Sequence, residues 1–332
     1  MDTPGPSPFP EQTMTLAPPP FDPELAAALA ATGQSSIATG ITLDQLAVER
    51  ANLAETVPTV TELATDATLR VEERTVPGAE DGPELELLVV RPRGRTDPRP
   101  VVYHTHGGGL IMGNNRYGLD PVLDFVRELD LVVVSVGYRL APEHPFPAGT
   151  EDAYAGLRWL ASDPAAVGGD GRIVLTGGSA GGSLAAALAL LARDRGEVSV
   201  TGQLLMYPML DDRNESVSAR QMHGLGVWDR VSNETGWAAW LGGAAEVSPY
   251  AAPARATDLT GLPPAFLDAG SAETFRDEIV DYAQRLWAAG GDAELHVWPG
   301  AFHAFDFLAP QADLSQRARA ARLHWLRRLL GD

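Results

Sequence analysis

The stretch RIVLTGGSAGG (172–182) decides how the chain is read. Its first half, RIVLT, is a short apolar run with β-branched residues, as expected of a buried strand. The residues that follow, GSLAAALALLAR (182–193), are Ala- and Leu-rich and predict a helix. Between them lies Gly177-Gly178-Ser179-Ala180-Gly181, a G-x-S-x-G pattern at a strand–turn–helix junction. A nucleophile elbow needs this arrangement. The turn is so sharp that Ser179 is expected in a strained conformation with its Oγ exposed, and glycines two residues either side leave room for strand and helix to approach. The helix that begins there points its N–H groups and positive dipole end at the same place.

Two other readings compete. VLTGGSAGG also resembles the Gly-rich dinucleotide turn of short-chain dehydrogenases. That family places the turn after its first strand and uses a Tyr-x-x-x-Lys pair. Here the turn lies mid-chain, and all 25 basic residues are arginine. The absence of lysine also excludes Schiff-base chemistry and a P-loop. A purely structural Gly-rich turn is the other alternative. The chain has no cysteine, so thiol nucleophiles, disulfides and Cys-ligated metals are excluded as well. The net charge of −19 repels phosphate backbones and anionic membranes, so neither a nucleic-acid nor a membrane partner is expected.

Around the elbow, short apolar runs alternate with helical ones. Strands are predicted at 69–76, 85–92, 101–106, 131–140, 172–177, 202–208, 264–270 and 293–300, the first two forming a hairpin. Helices are predicted at 118–128, 149–162, 181–194, 277–289 and 313–330. Such alternation implies a mainly parallel sheet with helices on both faces. The length of 332 residues allows about two domains' worth of chain. Residues of about 209–262 break the rhythm and read as an insertion. Two further helical patterns occupy 23–32 and 43–53. The Pro-rich residues 1–22 lack the apolar core of a secretory signal and read as an arm, so a cytoplasmic location is expected. No apolar run is long enough to span a membrane.

The second motif is His106-Gly107-Gly108-Gly109, directly after the third strand. Backbone N–H groups of Gly108 and Gly109, with Gly107 also eligible, can bind the oxyanion of a tetrahedral intermediate together with the N–H of Ala180. His104 and His106 share the spacing of a metal pair, but no other histidine completes a ligand set, and no metal is expected. His106 reads as a prop for the glycine loop and His104 as a residue packed in or beside the sheet.

A serine nucleophile needs a base and an acid, in the order Ser, acid, His. His303, in the loop PGAFHAF after the last strand, is the base candidate. His296 falls within a strand and His324 within the last helix. For the acid, LDAGSAETFRDE (267–278) offers Asp268, Glu273 and Asp277. Glu273 lies in the loop and is favoured, with Asp277 second. The acid would hold the imidazole tautomer and stabilise the imidazolium.

With HGGG and GGSAGG in place, YRLAPEHPFPA (138–148), FRDE (275–278) and PGAFHAF (299–305) complete a resemblance to the bacterial hormone-sensitive lipase family of α/β-hydrolases. It covers about residues 65–330 well and the N-terminal helices more loosely. The resemblance implies an α/β-hydrolase fold: an eight-stranded, mostly parallel sheet flanked by helices, with a helical cap. The catalytic domain would span 61–332 and carry a cap insertion at about 209–262. Residues 1–60 would form the arm and cap helices. It further implies a serine carboxylesterase acting on short- to medium-chain acyl esters through an acyl-enzyme, without cofactor, with a small-molecule ester as substrate and a homodimer as a common assembly. Lactone or amide hydrolysis with the same triad is the enzymatic alternative. A ligand-binding receptor on the same fold is the non-enzymatic one, and it would have lost the triad histidine. Two departures stand out. Many members have Asp before the nucleophile, where this chain has Gly178, and the acid is usually Asp where this chain has Glu273. Met222, Trp228, Trp237 and Trp240 in the insertion read as cap packing rather than substrate contacts.

Overall fold

In a computed structural model, which describes residues 16–31, 40–80 and 82–331, the eight runs form one sheet. The strands are β1 (Leu69–Val76), β2 (Leu85–Pro92), β3 (Arg99–Thr105), β4 (Val132–Val136), β5 (Gly169–Gly178), β6 (Gly202–Met206), β7 (Ala265–Gly270) and β8 (Ala293–Trp298). Their spatial order is β1-β2-β4-β3-β5-β6-β7-β8. β1 pairs antiparallel with β2 and β2 antiparallel with β4, and the remaining pairs are parallel. Every residue of β4, β6 and β7 is buried, which is why those strands read as mainly apolar runs, each interrupted by one buried polar residue, Ser135, Gln203 and Asp268 respectively.

The helices are α1 (Pro23–Ala31), α2 (Leu46–Thr56), α3 (Val60–Leu63), α4 (Asp120–Leu129), α5 (Ala148–Ser162), α6 (Ala180–Arg195), α7 (Val217–Gln221), α8 (Arg230–Leu241), α9 (Arg276–Ala288), α10 (Phe305–Leu308) and α11 (Asp313–Leu330). Alternate strand residues feed two cores. Val101, Tyr103 and Val134 join the core that contains residues of α5, α6 and α9, whereas Val102 and Val133 join the one that contains residues of α4 and α11. A third cluster joins Leu25 and Leu29 of α1 to Phe302 and Phe305. α7 and α8 lie between β6 and β7. Residues 1–15, most of the expected arm, and 32–39 lie outside the described residues. Among the described residues no helix is long and apolar enough to cross a membrane.

Two boundaries differ from expectation for local reasons. β4 ends at Val136, not at 140, because the next side chains leave the sheet for other partners: Tyr138 stacks on His106 and Arg139 binds the buried Asp152. The helix expected over 43–53 runs from Leu46 to Thr56, because Thr42 is held in a turn by Asp44 and Gln45.

One buried charge cluster ties the C-terminal helix to the sheet. Arg322 of α11, 1% exposed, binds Asp268 of β7 at 2.7 Å and also Asp306 of α10. Trp298 Nε1 and the Tyr207 backbone N–H donate to Asp268, each at 3.3 Å. Burial opposes the Arg322 charge, but the two carboxylates outweigh it and hold the guanidinium firmly protonated. Burial likewise pushes the Asp268 carboxyl up, against the pull of Arg322. Arg322→Met leaves two carboxylates buried without their cation. It is expected to cost about 3 to 5 kcal/mol, lowering the melting temperature by about 4 to 7 °C for a chain of this size. Thermal denaturation of the variant checks this, and a shift below about 1 °C contradicts it.

Candidate active site

The carboxyl ends of β3, β5, β6, β7 and β8 bring the motifs together. At the elbow Ser179 has φ 59° and ψ −125°, a conformation that non-glycine residues rarely adopt and that stores strain. The strain is held from both sides: Ser179 N–H donates to Met206 O (2.9 Å), and Met209 N–H donates to Ser179 O (3.0 Å). A Cβ at Gly177 would lie 2.3 Å from the Gly181 carbonyl carbon, and one at Gly181 would lie 2.0 Å from Thr105 O. The two glycines are therefore required by the contact between β5, α6 and the end of β3. Gly178 also has a local reason, since a Cβ there would meet the Tyr207 ring at 3.0 Å.

His303 Nε2 lies 2.9 Å from Ser179 Oγ. Its ring is braced edge-on by Tyr207 and Phe275, with centroids 5.1 and 5.0 Å away. On its other side, Nδ1 faces Glu273 Oε1 at 3.6 Å. That is longer than a hydrogen bond, yet neither atom has a hydrogen-bond partner among the described residues. Glu273 is 1% exposed, and its Oε2 accepts the Gly270 N–H at 2.9 Å. The other two acid candidates are engaged elsewhere. Asp268 belongs to the Arg322 cluster, and Asp277 accepts the Ser218 N–H at 2.7 Å. Glu278, the last residue of FRDE, is buried and accepts the N–H of Leu210 at 2.6 Å and of Asp211 at 3.2 Å, fixing the chain beyond β6.

The glycine loop lies against the elbow: a Cβ on Gly107 would be 3.6 Å from the Ser179 Cβ. The N–H groups of Gly107, Gly108, Gly109 and Ala180 have no acceptor among the described residues. His106 is buried, stacks on Tyr138 at 4.1 Å, and its Nδ1 lies 2.8 Å from Gly107 O. The Tyr138 hydroxyl donates to His106 O at 2.7 Å. His104 Nδ1 lies 2.8 Å from Ser135 Oγ. Burial lowers the pKa of His106 to about 4 and that of His104 to about 3, so both rings are neutral near neutral pH. Among the described residues no group of three or more His, Asp and Glu side chains is arranged to hold a metal ion.

A cavity of about 440 Å³ opens over Ser179 and His303. Its walls are Gly107–Gly109 and Met112, residues of α2, Val227 and Trp228 from the insertion, and Phe307 and Leu308 of α10. Of the four insertion side chains singled out from the sequence, only Trp228 lines the cavity, where it covers Gly109; Met222, Trp237 and Trp240 are buried in packing. The roles of Tyr138, Tyr207 and Phe275 have no signature in the sequence. Each is an ordinary aromatic in sequence, and its partner histidine lies 28 to 96 positions away in the chain.

A family model described as the alpha/beta hydrolase fold matches residues 102–307. The chain is 36% identical over 327 residues to the carboxylesterase NlhH of Mycobacterium tuberculosis, covering 95% of this chain and 98% of that protein. The solved structure of a bacterial heroin esterase superposes with a TM-score of 0.85 at 38% identity, over 93% of this chain and 98% of the other. The esterase LipW of Mycobacterium marinum gives 0.84 at 34% identity, over 95% and 99%. With its sheet order, its elbow and these matches, the chain belongs to the α/β-hydrolase fold family, within the hormone-sensitive lipase group.

Proposed function

We propose that the chain is a serine carboxylesterase that hydrolyses short- to medium-chain acyl esters, with Ser179 as nucleophile, His303 as general base and acid, and Glu273 as the acid partner of His303. The observation that carries this reading is the 2.9 Å contact between His303 Nε2 and Ser179 Oγ at a strained elbow beside a glycine loop. Ser179 Oγ attacks the ester carbonyl as its proton passes to His303 Nε2. The negative charge that develops on the carbonyl oxygen is met by N–H groups of Gly107, Gly108, Gly109 and Ala180. The intermediate then collapses, the C–O bond to the alcohol breaks, and His303 gives its proton to the departing oxygen. Water, deprotonated by His303, attacks the acyl-enzyme, and the carboxylic acid leaves as Ser179 recovers its proton. None of these steps calls on a cofactor or metal. Residues 61–332 act as the catalytic domain in this reading. Residues 1–60 and the insertion at about 209–262 form the cap, supported by the contribution of Ile41, α2, Val227 and Trp228 to the cavity wall.

The test is a p-nitrophenyl ester series of increasing acyl length, run beside amides and lactones, with fluorophosphonate labelling of the protein. Turnover of short-chain esters and labelling of Ser179 are expected, with amides hydrolysed far more slowly. Absence of labelling, or a preference for amides over esters, overturns the reading.

A further inference from the structure

One wall of the cavity is a face of α2. Glu49, Asn52, Leu53 and Thr56 line it, and their spacing of three, four and seven positions places them on a single helical stripe. Among the described residues Glu49 is the only Asp, Glu or Arg side chain in the cavity lining; the other titratable groups there are His104, His303, Tyr117 and Tyr207. It is half-buried, and its carboxylate has no ion pair or hydrogen bond among the described residues. Its neighbour Arg50 cannot neutralise it, because that guanidinium is spent elsewhere. Arg50 Nε donates to Ile111 O at 2.7 Å, one terminal nitrogen donates to Ala141 O at 2.8 Å, and both terminal nitrogens bind the Glu143 carboxylate at 2.7 and 2.8 Å. These contacts also lock α2 against the segment that follows the glycine loop, so Glu49 is held over the site. His104 adds no charge, because burial keeps it neutral. The remaining walls include the aromatic rings of Tyr117, Tyr207, Trp228 and Phe307. An unpaired carboxylate in a cavity also lined by aromatic side chains is an environment that favours an organic ammonium ion and disfavours a carboxylate.

We propose that Glu49 is a specificity residue that biases the site towards esters carrying a positively charged amine and against esters carrying a carboxylate. This rests on the esterase reading of the same site. A charge partly exposed to solvent acts in a dielectric between water and protein, so the bias expected from one carboxylate is about 3- to 10-fold in kcat/KM, and it shrinks as salt is raised.

The experiment compares acetylcholine with its neutral isostere 3,3-dimethylbutyl acetate, and p-nitrophenyl hemisuccinate with p-nitrophenyl butyrate, in wild type, Glu49→Gln and Glu55→Gln. Glu55 is on the same helix but outside the cavity lining, so its variant controls for the general attraction of an acidic protein for cations. The expected result is a cation-to-neutral ratio that falls about 3- to 10-fold in Glu49→Gln, an anion-to-neutral ratio that rises similarly, and no change of either in Glu55→Gln. Choline against 3,3-dimethylbutanol, as inhibitors of p-nitrophenyl butyrate hydrolysis, reads the same ratio if either acetate is a poor substrate. Ratios that are unchanged in Glu49→Gln, or that move equally in both variants, overturn the proposal. Failure of the wild type to hydrolyse any of these esters overturns the esterase reading instead.

Discussion

Ser179→Ala is expected to lower kcat for p-nitrophenyl butyrate by about 10⁴- to 10⁶-fold, with the fold intact. The expected loss is large because in the proposed mechanism Oγ forms the acyl-enzyme, and among the described residues no other hydroxyl hydrogen-bonds His303. The residual rate expected is what the proposed oxyanion donors of the glycine loop and binding in the cavity provide alone. Stability is expected to behave differently. At φ 59° and ψ −125° any side chain at position 179 is strained. Alanine keeps that strain, so its melting temperature stays near that of the wild type. Glycine removes it, and Ser179→Gly, equally inactive, is expected to gain about 1 kcal/mol. Steady-state kinetics and thermal melts of the two variants read these effects separately. A Ser179→Ala enzyme within tenfold of wild type contradicts the nucleophile assignment.

Glu273→Gln is expected to lower kcat by about 10³- to 10⁴-fold with a small effect on KM. The carboxylate faces His303 Nδ1 at 3.6 Å, and neither atom has another partner among the described residues. The contact tightens once the ring gains a proton and charge. A carboxylate can only accept there, so it keeps the proton on Nδ1 and leaves Nε2 free to take the one from Ser179. An amide of the same size can present N–H₂ instead, which favours the wrong tautomer and offers no charge to the imidazolium. Asp277→Asn is the matched control. Its carboxylate caps the start of α7 through Ser218 N–H, so kcat should change by less than about threefold while stability falls by about 1 kcal/mol. If Asp277→Asn loses activity and Glu273→Gln does not, the acid has been misassigned.

The acid shows where reading the sequence stops. Asp268, Glu273 and Asp277 lie within ten positions of one another, and each is a carboxyl near the end of β7. Position in the loop favours Glu273, and the packed chain shows what each carboxylate touches. Asp268 is turned into the Arg322 cluster, Asp277 towards α7, and Glu273 towards His303. The strands were easier to read. The central segments of β3 to β7 are buried, so each carries a short, mostly apolar run, and that pattern survives without knowledge of any partner. β4 was overextended because Tyr138 and Leu140 look like more of the same strand, although Tyr138 is recruited to stack on His106.

By itself, the sequence determined the sheet, the elbow around Ser179, the glycine loop at 107–109 and the exclusion of lysine and cysteine chemistry. All of these follow from residue type and spacing within a few consecutive turns of chain. The tertiary structure alone showed what engages Asp268 and Asp277 instead of His303, which aromatic rings brace that histidine, and that the Glu49 carboxylate of α2 has no partner among the described residues of the cavity wall. Those depend on approaches of a few ångströms between segments far apart in the chain. No local pattern encodes such approaches, because they come from how the cores on the two faces of the sheet pack.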